Sequence, residues 1–365
     1  MSLVEQMNAR ALELGVPLSV QLDVTYRCNE RCIHCYLDHD DHGEMTTAEI
    51  CDVLDQIADA GVFFLTLSGG EVLVRRDFFA ILEHARSHLF NVKVKTNGLL
   101  ITETAVRRLT ELAVNDIQIS VYSHRPETHD AITKVPGSFA RTLKGIRLLT
   151  AQGIKVTIAN ILMRQNMSDY DGVHDLAVQL GAHYTVDPTI TPMMDGGRSV
   201  LQYRIPGSEL EKVFRESKLV GNVEEFCAPP PPPGDDVMDG YPCSAGHTAC
   251  YISPYGDVFP CVQFPLPSGN LRRERFLEIW RNSPQLKEVR SIRARDLTTC
   301  SGCGHVGSCT RCPGLAYLEG NMRGPSSADC EKSFRRTGLP SAAMLGVSAV
   351  QPSASSLVQI QLLSQ

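Results

Sequence analysis

Apolar and polar positions follow two rhythms along the chain. Short apolar runs at 18–24, 62–67, 92–96, 117–121, 154–158 and 183–186 read as strands. Between them, apolar residues return at helical spacing over 46–61, 77–89, 102–113, 139–152 and 170–180. The first helical segment is the clearest. Thr46 and Glu49 have the spacing of a capping box, Ile50, Val53, Leu54 and Ile57 form one face, and Gly61 closes it. Strands alternating with helices imply a parallel sheet covered by helices. Ligands of such sheets gather at the C-terminal ends of the strands.

From 188 to 239 the rhythm weakens. Gly196-Gly197 is a turn, 206–219 reads as a helix, and the run Pro229–Pro233 before Gly234 makes a stiff spacer. In the stretch beyond, 251–253 and 258–260 flank Pro254-Tyr255-Gly256-Asp257, which predicts a hairpin, and Phe276 opens a helix. After 330 the chain is rich in Ser, Pro and Gly and is expected to be poorly ordered, with a short strand at 358–363. The expected divisions are a lead-in at 1–17, a sheet-and-helix unit with a bridging region at 18–228, a spacer at 229–239, a cysteine-rich unit at 240–335 and a tail at 336–365. The 17 residues ahead of the first strand are too few for a recognition domain with its own core.

Charge narrows the partners. The formal net charge is -6 and no long basic run occurs, which argues against nucleic acid. No stretch approaches the ~20 apolar residues of a membrane span, and 1–15 lacks an apolar signal core, so a cytoplasmic protein is expected. Thirteen cysteines in such a protein point to metal ligands rather than disulfides.

Three of them, Cys28, Cys32 and Cys35, fall within eight residues on the loop leaving the first strand. Thiolates are soft ligands that suit iron–sulfur clusters. Three cysteines on a four-iron cluster leave one iron open. One strand later comes Ser68-Gly69-Gly70-Glu71. Glycines let a ligand lie against the backbone, and Glu71 offers a charged acceptor. A zinc knuckle is the alternative, but zinc sites favour paired CxxC units.

The CxxxCxxC spacing resembles that of the radical S-adenosylmethionine (SAM) enzymes, and Gly69-Gly70-Glu71 resembles their GGE element, with Val72 where a proline is usual. The resemblance covers roughly residues 18–187. It implies an α/β partial (β/α)6 TIM-like barrel and a cluster on Cys28, Cys32 and Cys35. It further implies SAM bound by Gly69, Gly70 and Glu71, with His34 beside the adenine and Ser120 near the ribose or carboxylate. The segment His129–Thr133 with Pro136–Phe139 resembles peptide-modifying members and is expected to seat the next helix.

The later cysteines, with Gly256 five residues before Cys261, resemble the C-terminal SPASM domain that carries auxiliary clusters. Cys309 and Cys312 are closer together than is usual in that family. By this resemblance, one auxiliary cluster takes Cys243, Cys250, Cys261 and Cys312, and the other takes Cys300, Cys303, Cys309 and Cys330. That makes three 4Fe–4S clusters and leaves Cys51, expected in the core, and Cys227. Val262 follows Cys261 where sulfatase maturases have an aspartate base, which lowers that reading. The family then implies an oxidoreductase that modifies a peptide by crosslinking, decarboxylation or epimerisation. Its expected partners are a flavodoxin- or ferredoxin-type reductant and a separate leader-peptide recognition protein. The alternatives are a tetrapyrrole side-chain modifier and a non-catalytic iron–sulfur carrier.

Overall fold

The computed structural model describes residues 2–114 and 116–346. Six parallel strands alternate with helices: β1 (Ser19–Thr25), β2 (Phe64–Gly69), β3 (Asn91–Thr96), β4 (Asp116–Ser120), β5 (Val156–Ile161) and β6 (His183–Asp187). Helix α1 (Leu3–Leu14) precedes them. Then come α2 (Thr47–Asp59), α3 (Phe78–Ser87), α4 (Glu103–Glu111), α5 (Pro126–Thr133), α6 (Ser138–Ala151) and α7 (Tyr170–Gln179). The strand order is β6-β5-β4-β3-β2-β1, an open barrel with no pairing between its ends among the described residues. The α/β partial barrel expected from the sequence is therefore present.

Helix α2 starts where the sequence places it, because Thr46 and Glu49 exchange side-chain and backbone bonds as a capping box. Its Ile50, Leu54 and Ile57 are fully buried against β1 and β2. Helix α1 was not foreseen. Ser2 and Glu5 cap it, and Gly15 ends it at φ 64°. It lies against the C-terminal region, where Trp280 donates its indole N–H to the Gly15 carbonyl at 2.8 Å.

The C-terminal hairpin does not stand apart from the barrel. Strand β7 (Ala249–Ile252) pairs in parallel with β1, in register Ser19–Ala249 to Leu22–Ile252. Strands β8 (Asp257–Phe259) and β9 (Gly269–Asn270) extend the sheet antiparallel. Among the described residues this makes one nine-stranded sheet. The helix expected at 206–219 is two, Gly207–Phe214 and Ser217–Val220, and the prolines run irregularly into a short helix at Asp235–Asp239.

The expectation of a poorly ordered tail is corrected for 336–346. Ser341 and Ala342 are buried there, and the Leu339 carbonyl accepts from His305. The strand expected at 358–363 lies outside the described residues. No described helix is long and apolar enough to cross a membrane.

Candidate active site and auxiliary cysteine constellations

Along β1 the side chains alternate. Val20, Leu22 and Val24 pack under the helices, while Gln21, Asp23 and Thr25 face the barrel interior. Beyond Thr25 the chain leaves the sheet as the cysteine loop. The loop is held from one side by α5, where Arg31 and Ile33 donate backbone N–H groups to the Thr133 and Ile132 carbonyls at 3.0 Å. From the other side it is held by the glycines after β2. Gly70 donates to the Thr25 carbonyl at 2.8 Å and Glu71 to that of Arg27 at 3.0 Å.

The two glycines are required by this approach. A Cβ on Gly69, at φ 139°, would lie 2.1 Å from the Thr25 carbonyl oxygen. One on Gly70 would lie 2.5 Å from those of Tyr26 and Arg27. The glycine shelf and the cysteine loop therefore form one piece.

One cavity collects Cys28, Cys32, His34, Cys35, Ser68, Gly69, Gly70, Asn97, Ser120 and Tyr122. All three loop cysteines, the glycine shelf, His34 and Ser120 are thus brought together. Burial pushes the Cys28 thiol up to about 12, and pushes Cys32 and Cys35 up too. Three clustered, soft, desolvated donors fit a metal cluster that would displace their protons. Asn97 and Tyr122 point N–H and O–H donors at Cys28 and Cys32, each at 3.8 Å. The His34 ring meets Tyr122 edge-on at 4.9 Å, its Nδ1 has no hydrogen-bond partner, and burial pulls its pKa down to about 4.

Glu71 lies beneath the glycine shelf. Its carboxylate is fully buried and accepts from Thr96 Oγ1 at 2.8 Å, from Asn97 N at 2.7 Å and from Leu73 N at 3.0 Å. It ties the turn after β2 to the turn after β3, and its charge is felt at Cys28 and Glu30 of the cavity. In place of the usual proline, Val72 starts a 3-10 turn and is fully buried.

Sequence reasoning missed the polar interior beside the cavity. Asp23 accepts from Tyr251 at 3.0 Å and from Gln21 at 3.1 Å, and Tyr251 shares a 2.6 Å bond with Tyr26. Lys95 donates to Gln21 at 2.9 Å and lines the cavity. Burial raises Asp23 to about 6 and lowers Lys95. The signal lay in the strict alternation of 19–25 and 91–95, where polar residues take every second place.

Four of the later cysteines share one cavity and three others lie nearer the barrel. Cys300, Cys303, Cys309 and Cys330 line a single cavity. There Ser333 donates to Cys309 Sγ at 3.3 Å and the Ala342 N–H to Cys303 Sγ at 3.4 Å. Cys243 and Cys261 flank a small apolar cluster of Ala245, Phe264, Leu266 and Val289. The Cys261 thiol is raised mainly by burial and further by Cys243 nearby, and Cys312 feels Cys261 in turn.

Cys250 sits on β7 in the main core with Val20, Ile252 and Trp280, 4 % exposed, and burial raises its thiol, with Cys261 near enough to raise it further. Cys51 is only half-buried on α2, not in the core.

A link joins the two regions. Gln263, two residues after Cys261, donates to Thr191 Oγ1 at 2.9 Å, and Thr191 lines the first cavity. Its Oε1 lies 3.7 Å from Cys312 Sγ.

Comparison with known proteins agrees with this layout. Residues 22–177 match the Radical SAM superfamily, and residues 243–304 match SPASM, an iron–sulfur cluster-binding domain. The chain is 30% identical over 316 residues to the mycofactocin maturase MftC of Mycobacterium tuberculosis, covering 81% of this chain and 78% of that one. It is 29% identical over 330 residues to the AdoMet-dependent heme synthase of Methanosarcina barkeri, covering 83% and 93%. In fold it resembles the crystal structure of Streptococcus suis SuiB bound to precursor peptide SuiA, with a TM-score of 0.70 at 18% identity, over 89% of this chain and 79% of that one. The chain belongs to the radical SAM superfamily with a C-terminal SPASM domain, a family of enzymes that bind S-adenosylmethionine and a 4Fe–4S cluster and add auxiliary iron–sulfur clusters.

Proposed function

We propose that this enzyme modifies a peptide by radical chemistry, forming a crosslink or carrying out decarboxylation or epimerisation. Kinship with a peptide maturase over four-fifths of the chain carries the substrate class. Once bound, the cofactor and its reduced cluster supply a 5′-deoxyadenosyl radical, which takes a hydrogen atom from substrate. In this reading Cys28, Cys32 and Cys35 hold that cluster. Gly69 and Gly70 form the shelf for the methionine end of S-adenosylmethionine, and Ser120 and His34 flank the nucleoside. Glu71 keeps the shelf in place from below.

Cys300, Cys303, Cys309 and Cys330 hold one auxiliary cluster. Cys243, Cys261 and Cys312 hold the other. Three 4Fe–4S clusters follow, about twelve irons in all. The hydrogen bond that Gln263 donates to Thr191 supports a place next to the cavity for the cluster of Cys243, Cys261 and Cys312. That closeness supports its accepting the electron a substrate radical must lose to become a closed-shell product. A flavodoxin- or ferredoxin-type protein would supply the starting electron, a separate protein would hold the leader peptide, and the setting would be the cytoplasm.

The test is co-expression with short peptides encoded nearby, read by mass spectrometry beside an assay for 5′-deoxyadenosine. A mass change in one peptide is expected. A Cys261→Ser/Cys312→Ser variant that folds should still cleave the cofactor but leave the peptide largely unmodified. Full modification by that variant would remove the electron-acceptor role.

Kinship with a heme synthase favours one second reading, a tetrapyrrole side-chain modifier. Turnover of a porphyrin with no change in any peptide would establish it.

A further inference from the structure

Away from both cysteine regions, on the outer face of the barrel, α2 and α3 bring two histidines and a carboxylate together. His84 and His88 are four apart at the end of α3, so their rings share one face of the helix. Both direct Nε2 at the same oxygen, Asp55 Oδ1 on α2, at 2.6 and 2.7 Å. Their rings meet edge-on at 5.2 Å. The three donor atoms lie within 4.8 Å of one another. Each side chain is 30% or more exposed, so an ion can reach the group from solvent.

We propose that His84, His88 and Asp55 form a binding site for one divalent transition ion of the zinc type, separate from the iron–sulfur sites. Two imidazoles and a carboxylate are the donor set that zinc takes with a fourth position left to water. Ligand bonds of about 2.0–2.1 Å at tetrahedral angles separate donor atoms by about 3.3 Å. Each nitrogen–oxygen contact therefore opens by roughly 0.6 Å when the ion enters. Rotations of exposed side chains supply that movement.

The two histidines also hold the Asp55 carboxyl below the usual carboxylate range, so it is charged, as a ligand must be. At the other end of the same helix pair, Thr47 donates to Asp77 at 2.5 Å. An ion at Asp55 would thus add a second staple between α2 and α3, the helices on either side of β2 in sequence.

The test uses the full chain with its clusters loaded, kept anaerobic and cleared of free metal with a chelating resin. It is titrated with zinc chloride against a chromophoric chelator. One equivalent should bind. His84→Ala/His88→Ala should weaken zinc binding by roughly 100-fold or more, since loss of even an outer-shell partner costs 10–100-fold. The milder His88→Gln should weaken it about tenfold. Iron content and 5′-deoxyadenosine formation should stay unchanged in both. Zinc binding that is absent in the parent, or equally strong in both histidine variants, would overturn the site.

Discussion

Gly70 shows how a single position joins two functions. A side chain there meets the backbone of Tyr26 and Arg27, at the root of the cysteine loop, before it meets any ligand. Gly70→Ala should therefore cost cluster iron and S-adenosylmethionine cleavage together. Iron analysis after anaerobic reconstitution checks this, and a variant that keeps its iron while losing cleavage would contradict it. Asp23 makes a second residue-level case. It is fully buried and favours its protonated form, with a pKa near 6 against 3.8 for a free side chain. The folded state therefore holds its proton up to a higher pH than the unfolded state. Stability should fall as pH rises from about 4 to 6 and then level off, by about 3 kcal/mol. Asp23→Asn removes this dependence. Denaturant melts of the two cluster-free proteins at pH 4, 5, 6 and 7 should diverge across that window and run parallel above it.

At the scale of elements, the site depends on connectors more than on strands. Helix α5 anchors the cysteine loop through the carbonyls of Ile132 and Thr133. It also caps its successor, because Asp130 accepts from Phe139 N at 2.9 Å and Ser138 Oγ at 2.8 Å. The expectation that this segment seats α6 described half of its work. Arg75 plays a similar part after the glycine shelf. It is 7% exposed, donates to the Val24 and Met45 carbonyls at 2.8 and 3.0 Å, and pairs with Asp77 at 2.7 Å. Arg75→Leu would strand two buried carbonyls and leave the Asp77 carboxylate without its guanidinium. The expected loss is about 3 kcal/mol, seen as a lower Tm, with a reduced cluster yield because Val24 leads directly into the loop.

At the scale of the molecule, barrel and C-terminal region share one sheet. Strand β7 covers the edge of β1, and the Leu18 and Ser19 amides bond to the Thr248 carbonyl at 2.8 and 3.0 Å. A chain ended at Gly240 would bare that edge, together with Val20 and Leu22 beneath it. Open apolar edges pair with one another. Such a chain should aggregate, visible by size-exclusion chromatography, rather than persist as an isolated barrel. A monomeric truncated chain would show that the edge tolerates solvent.

The local signals were legible in the sequence because they are short-range. A helix begins at Thr46 because Glu49 is three residues on, and a soft-metal loop is recognisable because Cys28, Cys32 and Cys35 are close neighbours in the chain. Periodicity alone was enough for parallel strands alternating with helices, since each strand and helix buries its own repeating face, while the open barrel followed from the family resemblance. Other features hang on distances between residues far apart in sequence. Cys250 and Cys261 are both cysteines near a hairpin, yet the pleat of β7 buries the first in the core while Cys261 lies by Cys243 and Cys312 as well. Glu71 has the right identity for a cavity, yet Thr96 and Asn97, some 25 residues away, satisfy its carboxylate first. The sequence by itself determined the elements, the cysteine loop and the family. Tertiary structure decided which side chains face the cavity, because facing depends on strand register and packing that no local spacing encodes.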